Sequence, residues 1–272
     1  MNDLTEFEEE FNKKLSIVDN KEQIIKIFNE NIRDKEIDCI KRHCGSEGHW
    51  LEDKFGIKPN SKNEPDLLGY ELKKNSKKIT FGDFSATEYL FSKTKDFIDN
   101  FNSEKIEITR YEFIKLFGSP NPKKNNRFSW SGSCVPKNNE WNSFGQKIYF
   151  DENNNLIIKY SFDNDKRENK DFILESIKTK KEIMIAFWKN ENLENKINSK
   201  FNKNGFFICK KENNKYNKIC FGKAFNFLYF VKEFNKGNIF FDSGMYSGNS
   251  RNYSQFRAYS NSFWENLIVE EL

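Results

Sequence analysis

Cysteine is sparse and scattered: Cys39, Cys44, Cys134, Cys209 and Cys220 are all that 272 residues carry. The odd count and irregular spacing exclude a disulfide framework. No apolar run is long enough to span a bilayer. The opening residues, Met1 to Glu6, are acidic and lack an apolar h-region, so no signal peptide is expected. A reduced, cytoplasmic protein without a membrane is the simplest expectation. Charge of one sign is also lacking, with 45 basic against 41 acidic residues and a net +4. That balance permits nucleic-acid binding but requires any basic surface to be local. There is no internal repeat and no clear linker.

Aromatic residues are plentiful instead. They make up 16% of the chain, with 29 Phe among them, enough for a sizeable core despite 32% charged residues. Helical spacing of Leu4, Phe7, Phe11 and Leu15 predicts a helix over 3–17. A second is predicted from Asn20, with Gln23 as a capping partner and Ile24, Ile25, Ile27, Phe28 and Ile32 as its apolar face. Residues 45–56 read as a glycine-rich turn entering a short helix. Leu51 and Phe55 share its buried side and Gly56 ends it. Residues 58–65 form a loop.

Alternation predicts a strand at 71–73, a turn at Asn75-Ser76, and a hairpin partner at 78–81. Ser85 and Glu88 have capping-box spacing. Residues 118–145 read as a long loop or lobe connection. Further expectations are a hairpin over 146–162, a strand at 183–188, a helix at 190–201, and strands at 206–210 and 218–221. Residues 225–234 fit either helix or strand. A turn-rich stretch covers 242–262, and a short helix 263–268.

The chemistry concentrates in Pro65-Asp66-Leu67-Leu68-Gly69-Tyr70-Glu71-Leu72-Lys73, with Glu52 upstream. Period two puts Glu71 and Lys73 on one face of a strand and Leu72 on the other. Asp66, Glu71 and the Leu72 carbonyl are hard oxygen donors suited to Mg²⁺, and Lys73 is placed to orient or activate a water. Three carboxylates so close together should raise at least one pKa. On these residues alone, a solvated charged hairpin is an equally good reading.

Tyr246, Asn249, Ser250, Arg251, Asn252, Tyr253, Gln255 and Arg257 form a dense set of donors and acceptors on a glycine-punctuated backbone. Arg suits guanine and Asn suits adenine, which makes Arg251 and Arg257 the first candidates for base readout. The plainer reading is a polar surface turn. Lys123, Lys124, Arg127 and Lys137, interleaved with Trp130 and Trp141, read equally as phosphate contacts or a solvated loop. Lys74, Lys77 and Lys78 lie beside the acidic strand, and Lys74 is a candidate for holding DNA. Cys39, His43, Cys44 and His49 are zinc-capable types in a spacing that matches no common finger. The two cysteines read as packed thiols, and His43 or His49 as DNA contacts.

Pro65-Asp66 with Glu71-Leu72-Lys73 resembles the PD-(D/E)xK nuclease motif. The wider pattern adds Gly45, Gly48, Leu51-Glu52, Phe55-Gly56-Ile57, Asn60-Ser61 and Gly69-Tyr70. It is similar to the active-site region of the MutH nickase and the MvaI/BcnI group of type II restriction endonucleases. The segment from Gly244 to Arg257, ending near Phe263-Trp264, resembles a C-terminal stretch of the latter group. These motifs leave 100–240 largely unmatched, and the chain looks longer than typical members, which implies insertions in the middle.

The resemblance implies a mixed α/β fold. Its restriction-endonuclease-like core has a central mixed sheet flanked by helices, with a DNA-recognition lobe forming a cleft. Residues 1–117 would hold the N-terminal helices and catalytic core, and 118–272 the recognition lobe with its readout loop. By position Glu52 is the upstream acid, Asp66 and Glu71 with the Leu72 carbonyl the metal ligands, and Lys73 the catalytic lysine. The implied cofactor is Mg²⁺, with Mn²⁺ as a substitute. The implied substrate is double-stranded DNA at a short GC-containing site, and the implied counterpart a cognate DNA methyltransferase in a bacterial host. A monomer is implied as well. The alternatives are a MutH-like mismatch-repair nickase and a non-catalytic DNA-binding module.

Overall fold

The computed structural model describes residues 2–38, 45–58, 60, 62–92 and 106–272. From Asn2 to Asn31 the chain is one uninterrupted helix, α1. The expected break before Asn20 does not occur, because no proline or glycine interrupts the segment. Ile24, Phe28 and Ile32 lie on one stripe of α1 and are fully buried, whereas Leu15 is exposed. The second helix, α2, runs Ser46–Lys54 and ends where Gly56 takes a φ of +73°.

The strands follow in order: β1 Glu71–Lys74, β2 Lys78–Asp83, β3 Glu88–Tyr89, β4 Ser119–Asn121 and β5 Arg127–Trp130. Next come β6 Lys137–Asn138, β7 Phe144–Phe150, β8 Leu156–Asp165, β9 Ile183–Trp188 and β10 Phe206–Glu212. The last are β11 Lys215–Gly222, β12 Ile239–Ser243, β13 Met245–Tyr246, β14 Ser254–Tyr259 and β15 Ile268–Glu271. Helices Arg110–Phe117, Asn190–Phe201 and Phe227–Asn235 intervene.

Two compact units interleave along the chain. One takes residues 1–79, 196–226 and 259–272; the other takes 80–195 and 227–258. Each is therefore assembled from separated stretches rather than from the two halves on either side of residue 117.

The first unit is built on a mixed sheet ordered β1-β10-β11-β15. β1 runs parallel to β10, and the other pairs are antiparallel. One sheet face carries Leu72, Phe207, Cys209, Ile219 and Phe221. With Trp50, Leu51 and Phe55 of α2 and the buried stripe of α1, these form one apolar cluster. The expected hairpin of β1 with 78–81 does not form. β1 pairs with β10, far along the chain, and β2 joins a sheet ordered β12-β14-β2. Alternation identifies a strand but not its partner, and here the parallel pairing aligns Leu72 with Phe207 under the helices.

In the second unit, β3-β9-β8-β7-β6 form a five-stranded sheet and β13-β5-β4 a small one. The hairpin over 146–162 forms as expected, its turn fixed by Asp151, whose Oδ1 accepts from the amides of Asn153 at 3.0 Å and Asn155 at 2.7 Å. Ser85 and Glu88 cap no helix: Glu88-Tyr89 pairs with Phe187-Ala186 as a strand. The stretch 118–145 is not a bare loop but carries β4, β5 and β6. Residues 227–235 are helical, the expected short helix near 263–268 is found as helical turns over Ser260–Trp264 and Glu265–Leu267, and strand β15 follows it.

Phe28 is fully buried, so Phe28→Ala should destabilise the protein by about 3–5 kcal/mol. A urea-midpoint shift near zero would contradict this packing of α1. Glu47 of α2 pairs with Lys74 of β1 at 2.7 Å and with Lys211 of β10. Burial alone would raise its pKa, but Lys211 and Lys74 hold it down at about 2. A depressed folded-state pKa stabilises above the unfolded value of about 4.3 and is lost as pH falls toward 2. Glu47→Gln should therefore flatten the pH dependence of stability between about pH 5 and about pH 2. An unchanged acid-unfolding curve would show that the pair stabilises nothing.

Candidate active site

Strand β1 divides its residues between two faces. Leu72 enters the helix-covered cluster, and Lys74 on the same side is held by Glu47. Glu71 and Lys73 occupy the other face, both buried. Lys73 Nζ donates to Glu71 Oε1 at 2.8 Å and lies 5.4 Å from the centre of the Phe201 ring. Around Phe201 pack Phe225 and Trp264, and Trp264 in turn touches Phe206.

Asp66 reaches the strand through a reversal at residues 67–70. Leu67 and Tyr70 exchange backbone hydrogen bonds of 3.0 and 2.8 Å, with Leu68 at φ +49° and Gly69 at φ +83° between them. Positive φ at both central positions is the signature of a tight I′-type turn. Leucine takes that conformation reluctantly. Asn204 secures it, donating its side-chain amide to the Leu68 carbonyl at 2.9 Å and its backbone amide to Gly69 at 3.1 Å. A Cβ on Gly69 would come within 2.6 Å of that Asn204 amide.

The chain thus doubles back, and Asp66 Oδ2 accepts the Leu72 amide at 2.9 Å. β1 is the edge strand of its sheet, and the neighbouring Glu71 amide points the other way, to Gly205 at 3.0 Å. Amide and carbonyl of one strand residue face the same side, so the Leu72 carbonyl shares the open edge with Asp66.

Lys200 was not singled out in the sequence. Its Nζ donates to Glu71 Oε1 at 2.6 Å from the end of helix Asn190–Phe201. The signal was present. Leu193, Ile197 and Phe201 form the buried stripe of that helix, and Lys200 falls on the same stripe by helical spacing.

Both lysines bind the same oxygen of Glu71. The other oxygen, Oε2, is buried and has no hydrogen-bond partner. Burial works to raise the Glu71 pKa, but Lys73 and Lys200 outweigh it and keep the group ionised. Burial and the adjacent Glu71 charge push Asp66 up to about 6, against the opposing pull of the lysines. The expected rise in one carboxylate is therefore found at Asp66. Burial also lowers the Lys73 pKa, with Glu71 acting against it.

An ionised carboxylate oxygen without a partner, a second carboxylate with a raised pKa, and a strand-edge carbonyl are a donor set that fits a hard divalent cation. Among the described residues, no three His, Cys, Asp or Glu side chains form a cage of their own. Glu52 is half-exposed on α2 and pairs with the exposed His49 at 3.0 Å. Cys39, His43 and Cys44 lie outside the described residues.

The proposed readout residues belong to the second unit. Arg251 is exposed, ion-paired with Asp83 at 3.0 Å and 4.7 Å from the centre of the Tyr253 ring. Gln255 and Arg257 project from the same face of β14, opposite the buried Phe256, so they stand on a strand rather than a loop. Arg257 donates to Gln255 Oε1 at 2.5 Å and pairs with Asp242 at 3.0 Å. Arg127 stacks on Tyr246, 3.5 Å from the ring centre. Ser250 is exposed, while the side-chain oxygens of Asn249 and Asn252 are occupied by Arg110. Trp130 is fully buried, its indole donating to Gln146 at 2.7 Å, and so is no surface partner for the neighbouring lysines.

A family model described as LlaMI restriction endonuclease matches residues 30–272. The type II restriction enzyme ScrFI of Lactococcus lactis subsp. cremoris is 43% identical over 267 residues, covering 92% of this chain and 98% of that enzyme. Among solved structures, the restriction endonuclease MvaI in complex with its cognate DNA substrate superposes with a TM-score of 0.54. The identity is 17%, over 94% of this chain and 97% of that one. These matches run through residues 100–240, which the motifs alone leave uncovered. The fold is the mixed α/β fold of restriction endonucleases, and the chain belongs to the LlaMI restriction endonuclease family.

Proposed function

We propose that the protein is a type II restriction endonuclease that hydrolyses double-stranded DNA at a short GC-containing site with Mg²⁺, or Mn²⁺ in its place. The observation that carries the chemistry is the buried Glu71, with one oxygen held by two lysines and the other without a partner. Asp66, Glu71 and the Leu72 carbonyl would hold the ion. When bound, it would offset charge on the scissile phosphate and acidify a water.

The protein's own groups account for the rest. The turn at 67–70 sets Asp66 against the strand edge. Lys73 orients the attacking water and, in the neutral form that burial favours, accepts its proton. Lys200 keeps Glu71 ionised and turned to one side. Glu52, paired with His49, would serve as the upstream acid, and Lys74, next to Lys73 on the strand, would help hold the DNA.

Sequence choice falls to Arg251 and Arg257 as guanine readers, with Tyr246, Asn249, Ser250, Asn252 and Tyr253 shaping the contact surface. The enzyme would act as a monomer, with host DNA protected by a cognate methyltransferase.

Purified protein with unmethylated phage DNA and Mg²⁺ should give discrete bands that EDTA removes. Nicks confined to hemimethylated DNA, or binding without cleavage, would refute the restriction reading. Lys73→Ala should lower kcat by about 10²–10⁴-fold, and Glu71→Gln should also abolish discrete cutting. Undiminished cleavage by either variant would sink the site assignment. Arg251→Ala should lose about 1–3 kcal/mol of discrimination at one base pair, read as a relaxed cleavage pattern on duplexes with single-base changes. A weakening equal at every sequence would make Arg251 a phosphate contact instead.

A further inference from the structure

Arg110 is the first residue of helix Arg110–Phe117, and among the described residues its side-chain hydrogen bonds all enter one segment. Its Nε donates to Asn252 Oδ1 at 2.7 Å. Nη1 donates to the carbonyls of Asn249 at 2.6 Å and Tyr246 at 3.4 Å. Nη2 donates to Asn249 Oδ1 at 2.9 Å and to the Arg251 carbonyl at 2.8 Å. Five acceptors thus surround a guanidinium, whose planar fork carries five N–H donors. Each is a neutral oxygen of residues 246–252.

The base of this clamp is fixed. Thr109 and Glu112 form a reciprocal capping box at the helix start, and Phe113, Ile114, Leu116 and Phe117 are buried behind it. With the Arg251 carbonyl engaged by Arg110, its side chain remains exposed and pairs with Asp83.

We propose that Arg110 is a positioning residue for DNA recognition. It holds residues 246–252 in one conformation so that the Arg251 side chain is presented to the bases. Asn249 and Asn252 are its anchors and not base readers. This rests on the assignment of Arg251 to readout. A free loop with three glycine-like or asparagine positions would spend binding energy on ordering itself, whereas a clamped one is ordered beforehand. Lysine cannot substitute, because a single ammonium with three donors cannot span five acceptors.

The test uses the full-length enzyme and duplexes carrying the site found by sequencing the ends of cut phage DNA, with each single-base variant. Arg110→Lys should raise KM and lower the cognate-to-variant ratio of kcat/KM about tenfold, most at the base pair that Arg251→Ala relaxes. Because the two residues act as one device, combining Arg110→Lys with Asn252→Ala should cost less than the product of the two single effects. A fall in kcat with KM and the ratio unmoved, or fully multiplicative effects, overturns the proposal. If Arg251→Ala loses discrimination and Arg110→Lys does not, only the role of Arg110 fails. If Arg251→Ala keeps full discrimination, the readout assignment fails and the role of Arg110 with it. Should Arg110→Lys not fold, Asn252→Ala decides. Relaxation at the base pair of Arg251 supports anchoring; relaxation at a different base pair makes Asn252 a reader and overturns it.

Discussion

Two lysines on one carboxylate oxygen, one buried and one part-buried, are the constraint from which the first unit follows. Glu71 is almost wholly buried, and an isolated carboxylate there would be neutralised by protonation. Lys73 from the same strand and Lys200 from a distant helix prevent this. The Glu71–Lys73 pair is buried, and Lys200 adds a second cation to the same oxygen, so the charge of Glu71 is compensated from two elements of the chain. The requirement reaches outward. Lys200 must be brought by helix Asn190–Phe201, which packs through Phe201 onto Phe225 and Trp264. Lys73 must be on Glu71's face, which forces Leu72 into the cluster under α1 and α2.

The same arrangement limits how the charges can balance. Two ammonium groups face two carboxylates, but the raised pKa of Asp66 leaves its charge the less secure. A site that holds its second carboxylate near the edge of ionisation has room for positive charge that the lysines do not fill. Any further positive charge against Glu71 would bias Lys73 more strongly toward the neutral form that burial already favours. On the proposed reading, cation binding and proton acceptance by Lys73 would then be linked.

What was legible in the sequence was local. Period two separated Glu71 and Lys73 from Leu72 correctly, and short-range spacing gave α2, the 146–162 hairpin, strand Ile183–Trp188 and helix Asn190–Phe201. What failed around the candidate site was non-local. The strand's partner is 135 positions away by numbering, as Glu71 aligns with Phe206, and no pattern in residues 71–81 encodes that. The meeting of Asp66 with Leu72 depends on Leu68 at positive φ, a conformation a leucine would not be assigned from its identity, and on Asn204 to hold it. Lys200 was visible as a lysine on an apolar stripe, but only its fold neighbour Glu71 makes sense of it.

The readout segment shows why composition alone overstates function. In the sequence, Asn249, Ser250 and Asn252 stand beside Arg251 as further candidates for base readout. Their surroundings separate them: two side-chain oxygens are occupied by Arg110, and one arginine is left exposed beside Asp83. The strength of that last pairing matters. An exposed ion pair is worth about 0–1 kcal/mol, whereas a bidentate guanine contact discriminates by about 1–3 kcal/mol. Asp83 is itself secured, accepting the Ser254 amide at 2.6 Å, so it stays in place whether or not Arg251 leaves it. If Arg251 reads a base as proposed, Asp83 would hold it in a defined rotamer without DNA and still lose it to a correct base pair. A wrong base pair, offering less than the matched contact, has little margin over Asp83. The carboxylate would then sharpen discrimination rather than merely neutralise charge.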